Sequence, residues 1–329
     1  MKIIITGGAG FIGSHLTEYL SKIPKIKRIL VLDNLKDGSK KNLIEALKSK
    51  KVDLIKADIR QKSKIQSLFK NISTVVHLAA ISDIVPSIEM PTDYIETNFN
   101  GTLNILDAMK KNNVKRIIYA ASSSCYGIPK TTPTKENDRI NPIYPYAFSK
   151  YLGEELIKHY SNVYKIDYVS LRLFNVYGTR SRTNSAYGAA LGVFLKQKLE
   201  KKPFTIVGSG NQKRDFIHVK DVCSAFHKAI STKFKNEIYN VGFGKPNSVN
   251  KLVGLIGGNK TFIPKRPGEP FITHANISKI RKKLKWIPKI TLKKGIDDVL
   301  QNIDYWKNTT LWNKDKIKKA TKIWFRYLK

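Results

Sequence analysis

From its first residues the chain alternates between apolar runs of strand length and amphipathic segments of helix length. "KIIIT", "SHLTEYLSKI", "RILVLD", "KKNLIEALKSK", "VDLIKAD" and "STVVHLAA" follow one another with little between them. Continuous apolar strands separated by helices are buried on both faces, so the pattern predicts a parallel sheet with helices on either side. It continues through a helix near Thr92 to Asn112, a strand in "KRIIYAAS", a helix from about Tyr146 to Tyr164, and "DYVSLRLFNVYG". After Gly178 the regularity is lost in a stretch rich in Gly, Ser and Thr. "GVFLKQKLEKK", a short strand "FTIVG" and a helix "VKDVCSAFHKAI" then lead back to the sheet pattern at "EIYNVG". Beyond about Lys245 the segments are short and mixed. The expected division is a sheet domain of residues 1–177 with a returning segment at about 215–243, and a smaller domain of 178–214 and 244–329.

Composition sets the outer limits. A chain of 329 residues with 41% hydrophobic content can bury a core in each of two domains. Cys125 and Cys223 are the two cysteines, too few for a disulfide framework and without metal-ligand spacing, so a reducing cytoplasm is expected and a metal site is not. No apolar run approaches the roughly 20 residues of a membrane span. The formal charge of +35 raises the question of a polyanion. The excess is mainly lysine, scattered without an aromatic-interleaved patch, whereas phosphate readers favour the forked guanidinium. No nucleic-acid partner and no membrane insertion are therefore expected, although small anions would be attracted.

"TGGAGFIG" places Gly7, Gly10 and Gly13 after a strand and before a helix. Alone this is a weak signal that a structural turn would satisfy. In this context it marks a Rossmann-type dinucleotide loop, with a pyrophosphate received by the N-terminal amides of the helix starting near Phe11. Asp33 ends the second strand, where a carboxylate accepts both ribose hydroxyls and repels a 2′-phosphate, which favours NAD over NADP. Asp58 and Ile59 after the third strand, and Ala79 and Ala80 after the fourth, would flank the bound cofactor, although small residues there also suit tight packing. The expected fold class is α/β: a Rossmann-type doubly wound parallel sheet with a smaller mixed α/β C-terminal substrate domain.

Two further motifs carry chemistry. "SSSCYG" leaves the end of a strand as three hydroxyls, Ser122, Ser123 and Ser124, with no carboxylate. "YPYAFSK" sets Tyr146 and Lys150 one helical turn apart on one face. With the glycine loop, and with "HLAA", "TNFNGT", "RLFNVYG", "GNQKRDFIHVKDV", "YNVG" and "RPGEP" in order, the chain resembles the extended short-chain dehydrogenase/reductase family, nucleotide-sugar epimerase branch. The resemblance implies Tyr146 as acid and base, Lys150 lowering its pKa and holding the nicotinamide ribose, and Ser122 bonding the reacting oxygen, with Asn98 helping to orient the group. A phenol titrating near ~10 needs about 1.4 kcal/mol of phenolate stabilisation per unit of depression, which neighbouring cations can supply. Phe11, Ile12, Asn34, Leu78 and Phe174 are likewise expected at the cofactor by resemblance.

Relatives that dehydrate their sugar carry an Asp or Glu one or two positions after the strand-end hydroxyl. Serines here imply oxidation at C4 without elimination. For the substrate, the resemblance implies Asn175, Arg214 and Arg266 at a diphosphate, Glu269 at the ribose, Thr205 and Val207 at the uracil, and Ser123, Ser124 and Leu191 nearby. Thr273, seven residues after Arg266, would line the sugar pocket near C2, where a small residue admits an acetamido group and its hydroxyl could meet the amide. An internal pair of Arg214 with Asp215 or Asp221 is the bland alternative. The implied activity is epimerisation of a UDP-hexose at C4 through a transient ketone, by a homodimer joined through a four-helix bundle. Alternatives are uronate 4-epimerisation, decarboxylation or 2-epimerisation of a nucleotide sugar, or a non-catalytic dinucleotide sensor. The tail "WNKDKIKKATKIWFRYLK" is expected to form an amphipathic helix on the second domain.

Overall fold

The computed structural model describes residues 1–181 and 190–328; Arg182 and most of the Gly, Ser and Thr stretch after Gly178 lie outside the described residues. The strands in chain order are β1 (Lys2–Thr6), β2 (Arg28–Asp33), β3 (Val52–Lys56), β4 (Thr74–His77), β5 (Arg116–Ser122), β6 (Asp167–Leu173), β7 (Asn175–Tyr177), β8 (Phe204–Val207), β9 (Lys213–Arg214), β10 (Phe216–His218), β11 (Glu237–Val241), β12 (Asn247–Ser248) and β13 (Lys260–Ile263). Seven form one parallel sheet in the order β11-β6-β5-β4-β1-β2-β3. Three two-stranded pairs, β10 with β7, β12 with β9 and β13 with β8, make up the smaller sheets.

The period of two in a strand explains the layers. On β1, Ile3 and Ile5 point into one core with Leu16 and Leu20 of helix Phe11–Ser21 and Val222 and Phe226 of helix Val219–Ser231. Ile4 points the other way, into a core with Ile105 and Met109 of helix Gly101–Lys111 and Ile157 of helix Pro145–Tyr164. A separate core joins Leu191 and Phe194 to Phe204, Val253, Ile296 and Trp306. The sheet's last strand, β11, comes from residues 237–241, after the helix that follows β10.

Chain connectivity reverses between β1 and β4, since β2 and β3 lie on one side and β4 and β5 on the other. Open α/β sheets leave a crevice there, outside the carboxyl ends of the strands. Two elements differ from the sequence expectation. The helix near Thr92 to Asn112 is interrupted by a wider π turn over Ile95–Asn100, and this turn holds Asn98. The tail forms a helix, Lys314–Tyr327, that lies against helix Ile84–Glu89 in the connection after β4. Its buried residues are Ile317, Thr321 and Trp324. Among the described residues no helix is long and apolar enough to cross a membrane.

Candidate active site

At the crevice the glycines of the first turn are required by space. Gly7 has φ +68°, and a Cβ on it would stand 2.7 Å from the Ala79 nitrogen; one on Gly13 would stand 2.1 Å from the Gly7 carbonyl oxygen. The turn therefore presses the start of helix Phe11–Ser21 onto the strand ends. The first intrahelical bond runs from the Ser14 amide to the Gly10 carbonyl, which leaves the amides of Phe11, Ile12 and Gly13 as helix-end donors. Asp33 is buried, its Oδ2 accepting from the Ala9 amide and its Oδ1 from the Leu35 amide, both at 2.9 Å. Asn34 donates to Asp58, which also takes two bonds from the Arg60 guanidinium; that guanidinium holds the Asp58 carboxyl well below its usual range. Ile59 fills the space a side chain on Gly101 would need. The loop amides, a fixed carboxylate and a cradle too tight for Cβ atoms fit a dinucleotide. Given Asp33, NAD should bind at least about tenfold more tightly than NADP, because a 2′-phosphate would meet a fixed negative charge. Equal affinities in a fluorescence titration would show that Asp33 does not face the ribose.

The fourth-strand side of the crevice is fixed by a buried relay not visible in the sequence. The Ala79 amide donates to Thr6 Oγ1 at 3.2 Å, and Thr6 Oγ1 lies 2.7 Å from His77 Nδ1. His77 Nε2 lies 2.9 Å from Thr102 Oγ1, which donates to the Asn98 carbonyl. Since the Thr102 hydroxyl proton is used on Asn98, Nε2 carries the ring proton and Nδ1 accepts from Thr6. Burial pushes the imidazole pKa down to about 3, so it stays neutral. The Leu78 amide is bonded to the Thr6 carbonyl, and Ala80 follows at the mouth.

Across the crevice, Ser122 ends β5. Its Oγ accepts from the Ser124 amide at 3.2 Å and lies 2.7 Å from Ser124 Oγ, so Ser123 and Ser124 form a short 3₁₀ turn over it. Tyr146 sits in the first turn of helix Pro145–Tyr164. Burial raises the phenol above its usual pKa, and the nearby Ser122 hydroxyl pulls the other way. The expectation that Lys150 lowers this pKa is not met by the protein alone. Lys150 is buried with its ammonium over the Tyr119 ring, 4.2 Å from the centroid, and burial draws its own pKa down to about 7. Asn98 acts at one remove: its amide bonds both backbone groups of Ile81 and donates to Ser149 Oγ, which donates to the Tyr146 carbonyl. Phe174 is buried against Tyr126.

The expected substrate residues divide. Val207, Gln212, Arg214, Lys265, Glu269 and Phe271 line a cavity of about 140 Å³. Arg214 and Arg266 converge on Glu269, at 3.5 and 3.1 Å. Arg214 thus pairs with neither Asp215 nor Asp221, whose carboxylates are taken by backbone amides at Phe243, Gly244 and Ala275 and at Lys289 and Ile290. Glu269, the expected ribose ligand, is shared between the two guanidiniums here, which leaves one positive charge unbalanced by it. Thr205 does not line the cavity, since its hydroxyl accepts from the buried Gln197 amide, and Leu191 is in the core with Phe194, Phe204 and Trp306. The Thr273 hydroxyl donates to Asn175 Oδ1 and accepts from the Asp215 amide, so it is committed to the protein and only the small size of the residue is left to admit an acetamido group.

A dinucleotide cradle at a topological switch point, with a helix-borne tyrosine and a strand-end serine across from it, defines a nucleotide-cofactor enzyme. The sequence profile of the NAD dependent epimerase/dehydratase family matches residues 3–242, and the chain belongs to that family. NAD is the family's cofactor. The chain is 39% identical to the putative UDP-glucose 4-epimerase of Methanocaldococcus jannaschii, over 91% of this chain and 97% of that protein. Among solved structures it is similar to a UDP-N-acetylglucosamine 4-epimerase of Methanobrevibacter ruminantium in complex with UDP-N-acetylmuramic acid (TM-score 0.85, 30% identity, 92% and 98% covered). It is similar also to a UDP-glucuronic acid 4-epimerase of Bacillus cereus in complex with UDP-glucuronic acid and NAD (TM-score 0.85, 32% identity, 93% and 99% covered).

Proposed function

We propose that the protein is a UDP-hexose 4-epimerase that accepts N-acetylhexosamines. The observation that carries this is Tyr146 in the first turn of its helix, near the strand-end Ser122, with Ser123 and Ser124 in place of a carboxylate. NAD, when bound, supplies a hydride acceptor and then donor together with a positive ring charge. Tyr146 takes the proton from O4 as the C4–H bond breaks and returns it when the bond re-forms on the other face. Ser122 holds O4 in line with the phenol, and Lys150 holds the nicotinamide ribose. Gly7, Gly10, Gly13 and the amides that follow receive the pyrophosphate, and Asp33 the adenine ribose. Arg214 and Arg266 bind the substrate diphosphate once Glu269 turns to the ribose hydroxyls, and Val207 lies under the base. The named relatives support a UDP-sugar and support C4.

The uronate reading has the Bacillus cereus relative in its favour. Purified protein incubated with UDP-glucose, UDP-N-acetylglucosamine and UDP-glucuronate, with no NAD added, should epimerise the first two. Conversion of the uronate alone would replace this reading. Thr273→Tyr should remove the acetamido activity and spare the plain hexoses, because the ring fills the space near C2 where overpacking is not relieved cheaply. Equal losses on both substrate pairs would remove Thr273 from that role. We also infer a homodimer through helices Gly101–Lys111 and Pro145–Tyr164, supported by exposed Phe148 and Val163 on the latter, with sedimentation as the check.

A further inference from the structure

We propose that Trp324, on the C-terminal helix Lys314–Tyr327, is a positioning residue that ties the Arg266–Glu269 loop to the tyrosine pair Tyr144 and Tyr146. Through it the tail sets both the grip on a nucleoside diphosphate and the placement of the phenol. The inference rests on the roles given above to Arg266, Glu269 and Tyr146. The helix lies beyond residue 242, where the family profile ends.

Four contacts carry it. Trp324 is 1% exposed, and its Nε1 donates to the Pro267 carbonyl at 2.7 Å, so the indole is clamped to the residue next to Arg266. Its ring centroid lies 6.2 Å from that of Tyr144. Tyr144 in turn lies 6.4 Å from Tyr146 with the planes only 6° apart, so a shift of one ring is passed to the other. Leu328, which ends the same helix, stands 3.8 Å from where a Cβ on Gly268 would lie.

Tyr144 is placed to link the two ends of the site. It immediately precedes Pro145 at the start of the helix that bears Tyr146, and its half-buried hydroxyl feels the charges of Glu269 and Arg214. A chain terminus ordinarily frays unless something holds it. Here the Asn313 side chain caps the helix, accepting from the Lys316 amide, and a buried face of Ile317, Thr321 and Trp324 fixes it. Catalytic geometry is sensitive to displacements of about 1 Å, so a clamp on both the anion-binding loop and the phenol acts on binding and turnover together.

Two variants separate the parts of the contact. Trp324→Phe keeps a ring against Tyr144 and deletes the bond to Pro267. It should raise the Kd for UDP and the KM for the UDP-sugar about five- to tenfold, with kcat nearly unchanged. Trp324→Ala removes the ring as well and should also lower kcat about tenfold. Amide hydrogen exchange of the ligand-free proteins reads the clamp without reference to any substrate: exchange across 266–271 should quicken in both variants, and across 143–148 in the alanine variant alone. UDP affinity within about twofold of wild type in both, or unchanged exchange in the 266–271 loop, would overturn the proposal. If the wild type bound no UDP, the functional reading would fall, and the exchange result would still decide whether the tail positions the loop.

Discussion

Tyr146→Phe should lower turnover at least about 100-fold while leaving the fold and NAD binding intact, because it removes the hydroxyl that the proposed function makes the acid and base at O4. The ring stays, so the stacking on Tyr144 and the edge contact with Tyr94 persist. In the protein alone, burial holds this phenol above its ordinary pKa and the Ser122 hydroxyl opposes that rise. Ser122→Ala should therefore move the phenol further up and shift the rising limb of the kcat profile to higher pH, since more of the phenol is then protonated at a given pH. Steady-state turnover, with bound NAD quantified after denaturing the protein, is the measurement. A phenylalanine variant turning over at near the wild-type rate would mean that Tyr146 does not carry the proton.

The second large effect concerns stability rather than chemistry. Glu154 and Arg172 form an ion pair at 2.5 Å with each side chain 2% exposed. Ser170 also donates to Glu154, while Arg172 reaches the Tyr126 hydroxyl and the Glu136 carbonyl. Burial works against the Arg172 charge, but the carboxylate outweighs it and holds the guanidinium protonated. Glu154→Ala should cost about 3–5 kcal/mol, because it leaves a buried guanidinium without its counter-charge. Replacing both partners with apolar residues of similar volume should cost less than either single change. Urea unfolding of the three variants gives the comparison, and a loss below about 1 kcal/mol in Glu154→Ala would show that water reaches Arg172 in its place.

Much of the site was written locally in the chain. The run "KIIITGGAGFIG" specifies strand, turn and helix within twelve letters, because each signal is a neighbour effect: a continuous apolar run, glycines where a Cβ would strike Ala79 or Gly7, and a helix start. Asp33 at the end of β2, and Tyr146 with Lys150 one turn apart, are likewise fixed by the period of their elements. The sequence by itself therefore determined the parallel sheet, the cofactor cradle and the catalytic helix. Only the tertiary structure decided what meets whom across the sheet and between its ends. The relay from Ala79 through Thr6, His77 and Thr102 joins residues more than twenty positions apart, and no local periodicity encodes it. The same holds for Glu269 between Arg214 and Arg266, and for the inward turn of Thr205 onto Gln197. It holds most of all for Trp324, whose indole meets Tyr144 from the far end of the chain, since the partner of a buried polar or aromatic group is chosen by packing and not by spacing.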